Sequence, residues 1–125
     1  MILLDTHVLI WATLDSPRLG RRSRRLIVET PTRFVSSLSH VEIAMKHAKG
    51  KLALPADFSE QIPPEMFEEL PFSARHAAGV RDLVGRITGD PFDWMLLAQS
   101  RVDGLTLVTA DANLLEFSNT VDATE

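Results

Sequence analysis

The chain has no cysteine among its 125 residues. Disulfide bonds and thiolate metal sites are therefore excluded, which fits a reducing compartment. No apolar run approaches the ~20 residues that span a bilayer. The apolar start of the chain lacks the basic residues of a signal peptide and is broken at Asp5 and His7. We therefore expect a cytoplasmic protein with no membrane segment.

Several enzyme motifs are missing as well. Neither a G-x-S-x-G elbow nor a Walker loop occurs, which argues against α/β-hydrolase esterases and P-loop NTPases. The four histidines lack the H-E-x-x-H spacing of zinc enzymes. A net charge of −4 argues against a protein that coats nucleic acid non-specifically. The arginines that crowd residues 18–25 either contact RNA phosphates or a partner's acidic segment, or form a solvated helix face.

Short apolar runs alternate with helical patterns along the chain, as in α/β proteins. The patterns predict strands at residues 1–4, 34–36, 66–70 and 105–109. They predict helices at residues 7–14, 20–29, 37–49, 73–84, 91–102 and 112–117, with a short one between residues 55 and 63. We expect residues 1–125 to form a single α/β domain with a mostly parallel central sheet and helices on both faces.

Five acidic residues follow predicted strands or lie in predicted helices: Asp5, Glu42, Asp90, Asp93 and Asp111. If the first and last predicted strands are parallel neighbours, their carboxyl ends lie at one edge of the sheet, where open α/β folds build sites. Two unit charges ~4 Å apart repel by ~4 kcal/mol at an effective dielectric constant of 20. A divalent cation relieves this repulsion, and oxygen ligands favour Mg²⁺ or Mn²⁺. The pattern therefore predicts a metal-dependent enzyme.

Two of these acids have a ready structural alternative as single residues. Asp5 precedes a helix and could be its N-cap. Glu42 lies four residues before Lys46, the spacing of an ordinary surface ion pair on a helix. Glu42 also borders an apolar stripe formed by Leu38, Val41 and Met45. An acid beside a buried stripe needs a partner, so both interpretations of Glu42 stay open.

The remaining three acids fit helix starts equally well. The segment Asp90-Pro91-Phe92-Asp93 has the N-cap, the N1 proline and the acidic first turn of many helices. Asp93 aligns with inward positions of its helix, so we favour Asp93 as a ligand and Asp90 as a cap or auxiliary acid. Asp111 could cap the last predicted helix. Capping and metal binding do not exclude each other.

Small hydroxyl residues lie near the acids in the sequence. They are Thr6, Ser36, Ser37, Ser39 and Thr109. Their side chains either hydrogen-bond the ligand carboxylates or a metal-bound water, or serve in turns and helix caps.

Four segments resemble, in order, the motifs of PIN-domain proteins, and most nearly those of the VapC-type ribonuclease toxins of bacterial toxin–antitoxin pairs. The segments are residues 1–11, 36–46, 90–100 and 107–111. The resemblance assigns an acidic quartet to Asp5, Glu42, Asp93 and Asp111. It makes Asp90 the additional acid of a D-P-F-D subgroup, with Thr6 and Thr109 beside the quartet.

The resemblance implies a single PIN-like nuclease domain that acts as a toxin. One or two Mg²⁺ or Mn²⁺ ions would activate a water for attack on an RNA phosphodiester. The resemblance also implies a homodimer and a cognate antitoxin protein. Trp94 departs from the subgroup, which usually has a basic residue there, and Thr88 and Gly89 stand where a histidine is frequent. The chain ends soon after residues 119–121, so a full final strand is not expected.

Two other functions are compatible with parts of this pattern. A catalytically inactive PIN-like module that binds RNA or protein would keep the fold without cleavage. A receiver-like signalling domain would also be α/β, acidic and magnesium-binding. It requires an acceptor aspartate after its middle strand and a lysine after its last strand, whereas serines follow residues 34–36 and no lysine follows residues 107–111.

Overall fold

The computed structural model describes residues 1–86 and 88–125. Its strands are β1 (Ile2–Leu4), β2 (Arg33–Ser36), β3 (Glu68–Leu70), β4 (Thr106–Thr109) and β5 (Thr120–Asp122). Its α-helices are α1 (Thr6–Thr13), α2 (Arg21–Glu29), α3 (Ser37–Ala48), α4 (Ala74–Val80) and α5 (Pro91–Val102). Short 3-10 helices cover Phe58–Gln61 and Arg81–Leu83. Apart from the last predicted helix, the predicted helices are present, with ends shifted by a few residues.

The strands form one sheet in the order β3-β2-β1-β4-β5, and every neighbouring pair is parallel. Strand β1 is central, with Leu4 opposite Val35 of β2 and Val108 of β4. The carboxyl ends of β1, β2 and β4 therefore meet at one edge. The predicted α/β class with a parallel sheet is confirmed. The order also differs from the 2-1-3-4-5 order of receiver domains, which excludes that alternative.

Strand β1 is buried on both sides because apolar side chains pack on both faces of the sheet. Ile2 and Leu4 join one core with helix α1 and the inner face of α2. Leu3 points the other way and packs with Leu96 and Leu97 of α5. Full burial of such a leucine contributes ~1.5–3 kcal/mol. This burial places α1 and α5 on opposite faces, so helices lie on both faces of the sheet as predicted.

The chain after β4 differs from the prediction. Residues 112–117 form turns rather than a helix, and β5 follows as a fifth strand, paired with β4. The expectation that no full strand follows residue 119 is therefore wrong. The end of the chain is held by backbone hydrogen bonds from Gly20 to Ala123 and from Arg22 to Glu125, of 2.8 and 2.7 Å. A Cβ atom at Gly20 would clash with the backbone of Thr124 and Glu125, so glycine allows this close approach.

Two further boundaries differ, and both lie near the surface. Strand β3 spans only Glu68–Leu70 of the predicted residues 66–70, and its two glutamates are exposed at the edge of the sheet. Helix α4 ends at Val80 and continues as the 3-10 helix Arg81–Leu83. No helix within residues 1–86 and 88–125 is long and apolar enough to cross a membrane.

Candidate active site

A cleft of 240 Å³ opens at the carboxyl edge of the sheet, beside the ends of β1 and β4. Its walls are formed by Asp5, His7, Trp11, Glu42, Lys46, Asp90, Asp93, Ala110 and Asp111. All five acids singled out in the sequence thus line one cavity. They come from the ends of two neighbouring strands and from helices α3 and α5, which pack over the same edge.

Asp5 is buried at the end of β1, with 4% of its surface exposed. It stands at the N-cap position of α1, but its side chain makes no capping hydrogen bond. Its Oδ2 instead accepts a hydrogen bond of 2.6 Å from the Thr109 hydroxyl. Burial raises the pKa of Asp5, although this hydrogen bond acts in the opposite direction. The side chain is therefore directed at the cleft rather than at the helix.

Thr109 also positions the acid on the neighbouring strand. Its Oγ1 accepts a hydrogen bond of 3.1 Å from the backbone N–H of Asp111. The Asp111 carboxylate in turn accepts from the N–H of Asn113 at 2.8 Å. One buried hydroxyl thus contacts Asp5 and the backbone of Asp111, so the two acids hold a fixed relation.

Two other hydroxyls join the helices that carry the acids. Thr6 on α1 and Ser39 on α3 are buried and lie 2.9 Å apart, Oγ1 to Oγ. This contact ties the helix after Asp5 to the helix of Glu42. Ser36 and Ser37, by contrast, accept backbone hydrogen bonds from Leu38 and Phe72. Thr6, Ser39 and Thr109 therefore brace the cleft, while Ser36 and Ser37 serve local backbone structure.

Glu42 lies on the buried face of α3, with 2% of its surface exposed. Of the predicted apolar stripe, Val41 and Met45 are 48% and 44% exposed, and only Leu38 packs against the core. One carboxylate oxygen, Oε2, lies 2.5 Å from the Lys46 ammonium. The other, Oε1, is buried and has no hydrogen-bond partner among the described residues. A buried polar atom without a partner costs ~1–3 kcal/mol, which a cation in the cleft would recover.

The two aspartates of α5 have different roles. Asp90 caps the helix, since its Oδ1 accepts from the N–H of Phe92 at 2.9 Å. Its Oδ2 lies 3.2 Å from the Lys46 ammonium. Asp93 lies one turn further along, and its carboxyl makes a hydrogen bond with Asp111. Asp90 therefore combines capping with a place in the cleft wall, whereas Asp93 faces the other acids.

Burial and the neighbouring acids of the cleft raise the pKa of Asp93 to about 8. Burial is the largest cause, followed by the hydrogen bond with Asp111 and the negative charges of Asp5, Asp111 and Asp90. With its pKa raised this far, the Asp93 carboxyl favours the protonated form at neutral pH. This proton relieves part of the repulsion among the clustered carboxylates.

The donor set suits a hard divalent cation, since it consists of carboxylate oxygens with one of them buried and unpaired. As the side chains stand, residues 1–86 and 88–125 contain no group of three or more histidine or acidic side chains that could hold a metal ion. Lys46 lies near Oε2 of Glu42 and Oδ2 of Asp90, two oxygens that an ion would otherwise be able to contact.

Residues 2–119 match the PIN domain family. The chain belongs to this family. Ribonuclease VapC22 of Mycobacterium tuberculosis (strain ATCC 25618 / H37Rv) is 28% identical over 115 residues, which cover 90% of this chain and 88% of the relative. A toxin–antitoxin complex from Klebsiella pneumoniae contains a chain that superposes with a TM-score of 0.70 at 21% identity, covering 98% of each chain. VapBC2 from Rickettsia felis, bound to a promoter DNA fragment, gives 0.70 at 19%, covering 97% and 96%. At these identities, the similarity to the two structures concerns the fold alone.

Apart from Ala110, three residues of the PIN domain's cleft were not singled out as site residues by sequence: His7, Trp11 and Lys46. His7 and Trp11 lie one turn apart on α1, so helical spacing from Asp5 would have placed both at the same edge. Lys46 was considered only as a surface partner of Glu42. Its second contact, with Asp90, depends on the packing of α3 against α5, which no local pattern reports.

Proposed function

We propose that this PIN domain is a metal-dependent endoribonuclease and the toxin of a toxin–antitoxin pair. The observation that supports this most is the buried, unpaired Oε1 atom of Glu42 in a cleft lined by five acids. The relatedness to a protein named as a ribonuclease gives independent support. We take residues 1–125 to act as one nuclease domain.

Four acids would hold the cation: Asp5, Glu42, Asp93 and Asp111. Asp90 would act as an auxiliary acid, and Thr6, Ser39 and Thr109 would keep the ligands in place. When bound, Mg²⁺ or Mn²⁺ supplies Lewis acidity and a water of lowered pKa at the scissile phosphodiester. Thr109 orients Asp5 through the hydrogen bond of 2.6 Å, and the Thr6–Ser39 contact keeps α1 and α3 in register.

The cleft and its rim also suggest how RNA is held. A volume of 240 Å³ is smaller than most ligand pockets, so it suits one phosphodiester group rather than a whole nucleotide. His7 is exposed and Trp11 partly exposed at the same cleft. A single strand lying across the opening could place its phosphate among the acids with its bases outside.

The partners of the proposed toxin follow from the relatives. The Klebsiella pneumoniae structure is a toxin–antitoxin complex, and the Rickettsia felis structure is VapBC2 bound to a fragment of its promoter DNA. We infer that this chain likewise has a cognate antitoxin that covers the cleft, forms a homodimer, and works in the cytoplasm. Co-expression with the protein encoded next to it tests this, since relief of growth arrest is the expected result.

Cleavage of RNA by substituted proteins tests the catalytic assignment. Asp5→Asn and Asp93→Asn should abolish Mg²⁺-dependent cleavage of a structured RNA while leaving the circular dichroism spectrum unchanged. Asp82→Asn removes an exposed acid of a 3-10 helix outside the cleft and should cleave at the wild-type rate. Wild-type turnover by both cleft variants would refute the assignment, as would full activity in EDTA.

The salt bridge between Lys46 and Glu42 favours a second candidate function. A cleft whose cation is already a lysine suits an inactive PIN-like module that binds RNA or protein. The two candidates differ in one measurement, since such a module would bind RNA with no Mg²⁺- or Mn²⁺-dependent cleavage at any pH.

A further inference from the structure

Lys46 lies between two acids that belong to different helices. Its Nζ atom is 2.5 Å from Oε2 of Glu42, four residues earlier on α3. It is also 3.2 Å from Oδ2 of Asp90, the N-cap of α5. The ammonium therefore links the two helices at the wall of the cleft, and the lysine is itself partly buried.

Lys46 forms salt bridges with two acids of the cleft, Glu42 and Asp90. Within residues 1–86 and 88–125, no lysine or arginine forms a salt bridge with Asp5, Asp93 or Asp111. Glu42 is almost completely buried, so its charge depends on a partner in the protein rather than on water. Removal of one member of a buried ion pair is strongly destabilising, because the other charge remains without compensation.

A divalent cation in the cleft would meet the charge of Lys46 at close range. The oxygen of Glu42 that is still unpaired, Oε1, belongs to the same carboxylate that Lys46 contacts through Oε2. An ion at Oε1 and the ammonium at Oε2 would repel each other across one carboxylate group. In a partly buried site this repulsion is screened far less than in water.

We propose that Lys46 is the built-in cation of the acidic cleft: it stabilises the ion-free protein by holding Glu42 and Asp90, and it thereby weakens the binding of a divalent ion. This inference rests on the proposed metal site. It assigns Lys46 a positioning role, since the lysine acts through the two carboxylates.

Calorimetric titration with Mn²⁺ and thermal unfolding in EDTA test this role on the full chain. Lys46→Met should bind Mn²⁺ about tenfold or more tightly than the wild type, because one repelling charge is gone. It should also unfold at a lower temperature in EDTA and gain more in melting temperature when Mn²⁺ is added. Lys49→Met, which removes an exposed charge from the end of the same helix, should match the wild type in all three measurements.

Unchanged or weaker Mn²⁺ binding by Lys46→Met would overturn the proposal, and so would an equal gain in Lys49→Met. Lys46→Gln keeps a hydrogen-bond donor without the charge, so it provides the same comparison if the methionine variant does not fold. Lys46→Arg retains the charge and should bind Mn²⁺ like the wild type. Absence of Mn²⁺ binding in every protein, the wild type included, would refute the metal site itself.

Discussion

Replacing Thr109 by valine tests the idea that one buried hydroxyl sets the geometry of the cleft. The two side chains have nearly the same volume, so Thr109→Val removes the hydroxyl and little else. The hydroxyl donates to Asp5 at 2.6 Å and accepts from the N–H of Asp111 at 3.1 Å. The substitution therefore leaves both groups without their present partner.

The expected cost follows from the burial of these two groups. Asp5 is 4% exposed, so water cannot replace the lost donor. Leaving such a buried group unsatisfied costs ~1–3 kcal/mol. Asp111 is only partly buried, and its N–H can bond water, so it adds little. We expect the free energy of unfolding to fall by about 2 kcal/mol, which corresponds to a melting temperature roughly 8 °C lower.

Urea denaturation at pH 7 in EDTA measures this loss without interference from bound ions. The matched control is Thr106→Val, on the same strand, where the threonine is partly exposed and makes no side-chain hydrogen bond within the described residues. This control should stay within about 0.5 kcal/mol of the wild type. Equal urea midpoints for the two valine variants would show that the Thr109 hydroxyl does not hold Asp5.

Two further predictions concern the aspartates of α5. In EDTA the free energy of unfolding should fall as the pH rises from about 4 towards 8, because Asp93 keeps its proton up to about pH 8 when folded but releases it near 3.8 when unfolded. Asp93→Asn should flatten this slope in urea titrations, and a slope equal to that of the wild type would contradict the assignment. Asp90→Asn should preserve the cap on Phe92, whereas Asp90→Ala should unfold with about 1 kcal/mol less free energy than the asparagine variant. Equal thermal stability of those two variants would mean that the cap contributes nothing.

Local patterns were sufficient for most of the fold. The all-apolar β1 and the capped start of α5 are strong signals, and the alternation of strand and helix gave the parallel sheet. The helix predicted at residues 112–117 is absent, although the Asp111 carboxylate accepts the Asn113 N–H in the same way that Asp90 caps α5. Strand β5 has a single strongly apolar residue, Val121, and it depends on pairing with β4, which no local pattern encodes.

The gathering of the acids was predictable, and their partners were not. Parallel strands share an edge, so Asp5 and Asp111 had to lie near each other once β1 and β4 were neighbours. For Glu42 the helical period was informative but the face was misassigned. The apolar residues Val41 and Met45 face solvent, while the polar face of Ser39 and Glu42 is buried. Only the packing of α3 against α5 decides which face points inward.

The cleft concentrates negative charge, and the fold relieves the repulsion in three separate ways. Asp93 keeps a proton, Lys46 pairs with Glu42 and Asp90, and Thr109 donates to Asp5. Two of these devices engage oxygens that a divalent ion would also need. Binding of an ion then requires proton release from Asp93 and a weaker hold by Lys46. Both requirements make ion binding less favourable than the negative charge of the cleft alone suggests. Ion affinity should therefore rise with pH, and it should rise further when Lys46 is neutral.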